Sequence, residues 1–336
     1  MRADCRTSVP AGFDPTAVVH FALRHASLIL FFLVITIFSV LAPAFLSLDN
    51  ATNILLQSAP TGIVAVGVTL VLLTGGVDLS VGAIMFMAAA VAGKMVQTGW
   101  SLPLALTTML AIGLIFGAIN AFFITRVRIV AFIVTLALLF VGRGFALWIT
   151  QTRAINLPES FLGLGTSRIV GIPVPLLVFG CVALIAHTVL TRTAFGRQVY
   201  AVGNHAENAR KAGIPTGRIM TAVYVISGFC AALGAILSLV QLGAVSPKFG
   251  EAYEFKAIAA AVLGGTSLFG GRGSVLPGTL LGAVLIQSIE SGLVMLNANP
   301  YLYSPITAAV IFGAVLMDSA RHRFLARVSR RRVRLK

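Results

Sequence analysis

The sequence predicts an all-α fold, a polytopic transmembrane helical bundle of about ten spans with both termini cytoplasmic. Three observations predict it. The 336 residues are 58% hydrophobic and only 10% charged, with mean hydropathy +0.97; soluble domains average about 25% charged residues. Apolar runs near the roughly 20 residues needed to cross hydrocarbon recur along the chain. The basic residues gather in alternate gaps between those runs.

The spans fall near 26–46, 57–74, 80–98, 103–125, 129–150, 168–190, 219–242, 257–270, 274–297 and 303–318. The first carries Ala42-Pro43-Ala44, which resembles a signal-peptidase site. A signal core has only about 7–15 apolar residues, so this 21-residue run reads as an uncleaved span. The eighth is too short to cross as a straight helix. It is expected to form a half-span or to share residues with the ninth. Segment 1–25 precedes the bundle on the cytoplasmic side, 26–318 forms it, and 319–336 is a basic cytoplasmic tail.

Sidedness supports the count. With the N-terminus inside, 19 of the 25 basic residues lie inside. They are Arg2, Arg6 and Arg24, then Arg126 and Arg128, then Arg192, Arg197, Arg210, Lys211 and Arg218 of the 191–218 loop, then Arg272 and the eight of the tail. Four fall outside, Arg153, Arg168, Lys248 and Lys256, while Lys94 and Arg143 fall within spans. Dropping one span would send the tail or the 191–218 loop to the wrong side. The net charge of +15 therefore reads as a membrane signature. The tail, with no aromatics interleaved, suits anionic lipid rather than nucleic acid.

Between the second and third spans stands "LLTGGVDLSVGAIM" (72–85). Gly75-Gly76 lets one helix end, and Asp78 or Ser80 suits the N-cap of the next. In the inside loop, Asn204 reads as an N-cap with Glu207 three residues on, Gly213 as the C′ glycine and Pro215 as a stop. That describes a short helix over about 205–212, with Ala206, Ala209 and Gly213 on one small face. Spacing alone leaves two readings, a capped surface helix or a helix that docks into another protein.

These motifs carry a resemblance. "AVGNHAENARKAGI" (201–214) is similar to the cytoplasmic loop of ribose-type ABC sugar permeases, binding-protein-dependent inner-membrane subunits of monosaccharide importers. "LLTGGVDLSVGA" (72–83) resembles that family's T-G-G-[IV]-D-L-S-V-G motif at Thr74, Gly75, Gly76, Asp78, Leu79, Ser80 and Gly82. "AFIVTLALLFVGRGFALWIT" (131–150) and "AIAAAVLGGTSLFGGRGSVLPGTLLGAVL" (257–285), with Gly264 and Gly265, resemble two more of its segments. Ala131, Ala137, His205 and Asn208 depart from the family pattern. The resemblance implies a multi-pass protein of the bacterial inner membrane, paired as a homodimer or with a related permease. It implies a periplasmic sugar-binding protein outside and an ATP-binding subunit inside, which uses the ATP and magnesium. By the same analogy Gly203, Asn204, Glu207, Ala209, Arg210 and Gly213 form the coupling helix seated on that ATPase.

The chain shows no cofactor site of its own. It has no G-x-x-x-x-G-K-[ST] phosphate loop, and the only Gly-Lys pair, Gly93-Lys94, lacks the rest of the pattern. His20, His25, His187, His205 and His322 make no paired metal motif, and Cys5, Cys181 and Cys230 have no ligand spacing. A catalytic role and a metal are therefore not expected, which sets the membrane-enzyme class aside. An ion-coupled secondary transporter would need acids placed for coupling, and only Asp78 and Glu290 lie within or beside spans. Cargo other than a monosaccharide, such as a branched-chain amino acid, a nucleoside or a sugar-like signal, fits the same architecture.

Charge at mid-span is costly, so such residues face a cavity or a partner. Lys94 can snorkel to the outer interface. Arg143 is expected to pair with Asp78 or Glu290. Glu290, with Gln287 one turn earlier, faces a pathway or makes a polar helix contact. Asn120, Gln241 and Asn297 are further polar groups for a neutral solute. Gly228, Ala231, Ala232 and Gly234 suit close helix packing. Finally, "GGVDLSVG" (75–82) and "GGTSLFGG" (264–271) share G-G-x-x-L-x-x-G, a short internal echo on the cytoplasmic side.

Overall fold

The computed structural model describes residues 26–303, 305–310, 312, 313 and 316. Its helices in chain order are α1 (Ala26–Leu41), α2 (Leu48–Leu73), α3 (Val81–Gln97), α4 (Leu102–Thr125), α5 (Ala131–Thr150) and α6 (Glu159–Thr166). Then come α7 (Val174–Arg192), α8 (Ala194–Asn204), α9 (Ala206–Lys211), α10 (Thr216–Leu242), α11 (Tyr253–Leu263) and α12 (Leu280–Met295). Two antiparallel ribbons fasten the connections: β1 (Ile155–Asn156) pairs with β4 (Ala244–Val245), and β2 (Arg168–Ile169) with β3 (Ile172–Pro173).

Among the described residues, six helices are long and apolar enough to cross a membrane: Leu48–Leu73, Leu102–Thr125, Ala131–Thr150, Val174–Arg192, Thr216–Leu242 and Val275–Met295. Leu28–Leu41 and Val81–Gln97 are shorter apolar helices. The chain is thus a helical, multi-pass membrane protein. The eighth expected span holds only the 11-residue α11. Of the tenth, 303–318, the residues described (303, 305–310, 312, 313 and 316) are helical, while the N-terminal segment 1–25 and the basic tail 319–336 lie wholly outside the described residues.

α2 and α10 form the centre, and small residues set how closely the helices approach. Gly228 of α10 faces Gly113 of α4, and a Cβ on either would run into the other's carbonyl oxygen. Gly67 of α2 lies against Ser227 and Cys230 of α10, and Gly234 lies against Pro60 and Val64. Ala231 and Ala232 are fully buried. "ISGFCAALGAIL" is therefore packing surface, as its composition suggested. The outer helices show the reverse pattern. α4 exposes Leu114, Ile115, Phe122 and Phe123, and α5 exposes Phe132, Ile133, Phe140, Phe145 and Trp148. Around a bilayer, large exposed apolar side chains are the lipid-facing surface rather than a defect.

Four helices stop by one device, α3 among them: Gly99 has φ +86 and donates to Val96 O, while Trp100 N donates to Met95 O. At the end of α2, Gly75 has φ +78 and donates to Leu72 O, while Gly76 N donates to Val71 O. At the end of α9, Gly213 has φ +83 and donates to Arg210 O, while Ile214 N donates to Ala209 O. At the end of α11, Gly265 has φ +91 and donates to Val262 O, while Thr266 N donates to Ala261 O. Each is a Schellman stop, in which a left-handed glycine lets two successive N–H groups reach back to orphan carbonyls. This explains the internal echo. Both copies begin at a helix stop, but one residue out of register: the first glycine of the pair is C′ in one, the second in the other.

Candidate functional site

The stretch after α2 does not leave the bundle. Residues 74–80 are non-helical, yet Asp78 is fully buried. Its Oδ1 accepts from Ser80 N (3.0 Å) and Ser80 Oγ (2.6 Å). Its Oδ2 accepts from Ser227 Oγ (2.7 Å), near the middle of α10. Asn120 Nδ2 of α4 donates to Ser80 Oγ (2.7 Å), and the Tyr224 hydroxyl donates to Val77 O (3.2 Å). The carboxylate thus ties the start of α3 to α10, with Ser80 carrying the link on to α4. Of the roles weighed from sequence, helix-start acceptor is the one observed. Ser80 holds the N-cap position without a side-chain bond of its own, and Asp78 reaches the Ser80 N–H from two residues upstream. Thr74 closes α2, its Oγ1 donating to Val71 O (2.7 Å), and Leu79 is buried beside Asp78.

The loop helix corrects the sequence reading. α9 runs over Ala206–Lys211, and its cap is His205, whose Nδ1 accepts from Asn208 N (3.3 Å). Asn204 is instead the last residue of α8, and its side chain lies against Gly271. With Asn204 held inside α8, the cap passes to the next residue, the position where the family departure His205 stands. Glu207 does not close a capping box; it pairs with Lys211 one turn on (3.1 Å), both exposed, so the pair is worth little. Ala209 faces inward and is buried, while Ala206, Arg210 and Gly213 are exposed. Of the small face, only Ala209 is buried against this chain.

Three motifs distant in sequence meet at one point. Gly203, at the end of α8, packs against Leu73 O and Gly271 N. Gly271 N donates to Leu73 O (2.9 Å), and Tyr200 of α8 donates to Gly273 O (2.9 Å). Gly270 lies against Gly203 O and Gly75 N. Nearby, Gly264 abuts the backbone of Gly278. The T-G-G segment, the end of α8 and the Gly-rich segment are therefore one backbone-to-backbone junction, at which a side chain on Gly203 has no room.

The charged groups pair differently from expectation. Arg143 pairs with neither Asp78 nor Glu290. Its guanidinium lies 3.8 Å from Glu251 and 5.6 Å from the ring centroid of Phe86. Glu290 pairs with Lys256 (2.6 Å), and Gln287 Nε2 donates to Gln57 Oε1 (3.5 Å). Gln241 donates to Leu56 O (2.9 Å). Lys256 is thus no loop residue, and Asp78 and Glu290 are not the only acids among the spans: Glu251 and the buried Glu254 join them. Glu251, Glu254 and Lys256, with Tyr253, were missed. Their signal was "EAYEFK" (251–256), three charges in six residues directly ahead of an apolar run.

Comparison with known proteins agrees with this architecture. Residues 50–317 match the family model described as branched-chain amino acid transport system / permease component. The ribose import permease protein RbsC of Escherichia coli K12 is 37% identical over 302 residues, covering 88% of this chain and 94% of that protein. RbsC of Bacillus subtilis is 38% identical over 290 residues, 85% and 90% of the two chains. The xylose transport system permease protein XylH of E. coli K12 is 32% identical over 343 residues, 83% and 87%. No solved structure matches the chain. The chain is a transport component rather than an enzyme, and it belongs to the branched-chain amino acid transport system / permease component family.

Proposed function

We propose that this chain is the membrane-spanning permease subunit of an ATP-binding cassette importer that moves a monosaccharide across the bacterial inner membrane. Relatives named for ribose and for xylose import, each matched over most of both chains, support a sugar as cargo. Family membership implies a separate cytoplasmic ATPase, which binds the ATP and magnesium, and a periplasmic binding protein that delivers the sugar. The functional unit is a pair of permeases, two copies of this chain or this chain with a related one. Both termini lie in the cytoplasm.

The observation that carries the coupling role is the mounting of α9. The short helix stands on α8, and α8 is pinned through Gly203 to the end of α2 and to the Gly-rich segment. A push on Asn204, Glu207, Ala209, Arg210 or Gly213 from an ATPase reaches two spans through rigid backbone contact. The family description also names branched-chain amino acids, so that cargo is the second reading.

The test is uptake in cells lacking their own pentose importers and supplied with this chain, its ATPase and its binding protein. Labelled ribose or xylose should enter, and unlabelled sugar should compete. Entry of labelled leucine with no sugar uptake would overturn the sugar reading.

A further inference from the structure

Two connections that follow full-length spans re-enter the bundle as non-helical backbone, and they approach each other at the start of α3, where Gly250 lies against Gly82. The first is the non-helical 74–80 stretch already placed inside the bundle by the Asp78–Ser227 bond. The second follows α10. Val245 lies beside Gly93 of α3, and Gly250 lies beside Gly82. Those two α3 positions are about 16 Å apart along a helix rising 1.5 Å per residue. Between them the backbone turns: Phe249 N donates to Ser246 O (2.9 Å), Glu251 N donates to Lys248 O (3.1 Å), and Gly250 has φ +71. The chain thus passes from the Gly93 end of α3 to its Gly82 end as non-helical backbone, with Val245 and Phe249 buried. Only then, after the left-handed Ala252, does α11 begin. Non-helical backbone at membrane depth is tolerated where it is buried in protein or lines a water-filled cavity. Non-helical backbone at this depth also lines the solute site in other transporter folds.

Charged side chains gather on this break. Arg143, Glu251, Lys256 and Glu290 all retain solvent-accessible surface, with 22%, 55%, 33% and 24% of each side chain exposed. Charges do not face acyl chains, so this surface faces water or protein. On α5 the exposed Phe145 lies on the side of the helix opposite Arg143, so the apolar face there is distinct from it. The 3.8 Å gap between Arg143 and Glu251 exceeds a hydrogen bond, so both groups keep hydrogen-bonding capacity for a third party. Lys256 Nζ lies 5.8 Å from the Tyr253 ring centroid, and Gln57 and Gln287 meet one turn from Glu290. Paired charges, amides and an aromatic ring are the groups that hold a neutral, many-hydroxyl ring without a net charge to trap it.

We propose that the break at 244–252, with Arg143, Glu251, Lys256 and Glu290, contacts a neutral polyhydroxyl solute during its passage. This rests on the importer reading, and the experiment separates the two. The full complex is reconstituted with wild-type chain, Glu251→Gln, Lys256→Gln and Lys256→Arg, with assembly checked by size-exclusion chromatography. Wild-type uptake tests the importer reading. Given wild-type uptake, assembled Glu251→Gln and Lys256→Gln should each lose about tenfold in uptake rate, as for a lost hydrogen bond to a charged group. Lys256→Arg should recover part of it. Unchanged uptake in both assembled Gln variants overturns the proposal.

A second measurement does not depend on transport. In a Cys5→Ser, Cys181→Ser chain, Glu251→Cys should react with a membrane-impermeant thiol reagent, and ribose should slow the reaction. Phe145→Cys should stay unlabelled. Glu251→Cys as unreactive as Phe145→Cys, or a reaction rate insensitive to ribose and xylose, overturns the proposal.

Discussion

Gly271 and Leu73 are joined by one backbone hydrogen bond, Gly271 N donating to Leu73 O at 2.9 Å, and Gly203 lies against both atoms. The bond fastens the Gly-rich segment to the end of the central span. The missing Cβ of Gly203 lets the loop that carries α9 sit on the same spot. Backbone atoms on both sides leave nothing flexible to yield.

Gly203→Val should therefore cost more than a surface change. Over-packing of a tight site typically costs about 1–3 kcal/mol, and here it separates α8 from α2. ATP hydrolysis by the complex should persist while sugar uptake falls. Parallel assays of both in proteoliposomes check this; uptake and hydrolysis at wild-type ratio would show that the junction transmits nothing.

Asp78→Ala should destabilise more than Asp78→Asn. The alanine leaves Ser80 N, Ser80 Oγ and Ser227 Oγ without their buried acceptor. Each unsatisfied buried group costs about 1–3 kcal/mol. Asparagine keeps one acceptor oxygen and nearly the same shape. Thermal unfolding in detergent should give the order wild type, Asp78→Asn, Asp78→Ala, and equal midpoints would contradict the network's role.

The structure of the loop helix gives different roles to Gly213 and Glu207, which the sequence placed together in the coupling helix. Gly213→Pro removes the N–H that bonds Arg210 O and cannot adopt φ +83, so the Schellman stop is lost. It should uncouple hydrolysis from transport. Glu207→Ala removes only an exposed pair with Lys211, so α9 itself should survive. If Glu207→Ala also uncouples, Glu207 touches the ATPase directly, which co-purification of the two subunits would register.

His205→Ala should weaken α9 by about 1 kcal/mol, as for loss of a helix cap. His205→Asn should restore it, since a short amide oxygen suits the same bond to Asn208 N. Amide hydrogen exchange over 206–211 reads this directly: faster exchange in the alanine variant, near-normal exchange in the asparagine variant.

Much of this was readable in the chain because apolar length and glycine placement are local signals. Spans at 103–125, 129–150 and 219–242 agree with their helices to within three residues, and Gly75 and Gly213 are the stops their neighbours implied. What was not readable depends on distant partners. Asn204 looked like a cap because its own spacing fits one; only contact with Gly271 keeps it inside α8. Arg143 could have met any acid, and the acid it meets, Glu251, sits on non-helical backbone that hydropathy cannot tell from an outer loop. The short eighth run was a true signal of that break, since α11 begins only after the chain has already entered the bundle.

Sugar uptake by proteoliposomes bearing this chain with its ATPase and binding protein, set beside proteoliposomes bearing the chain alone under a proton gradient, decides the matter most directly. Uptake should occur only in the complete assembly and stop when ATP is withheld. Proton-driven uptake by the chain alone would contradict an importer permease and return the protein to the ion-coupled class.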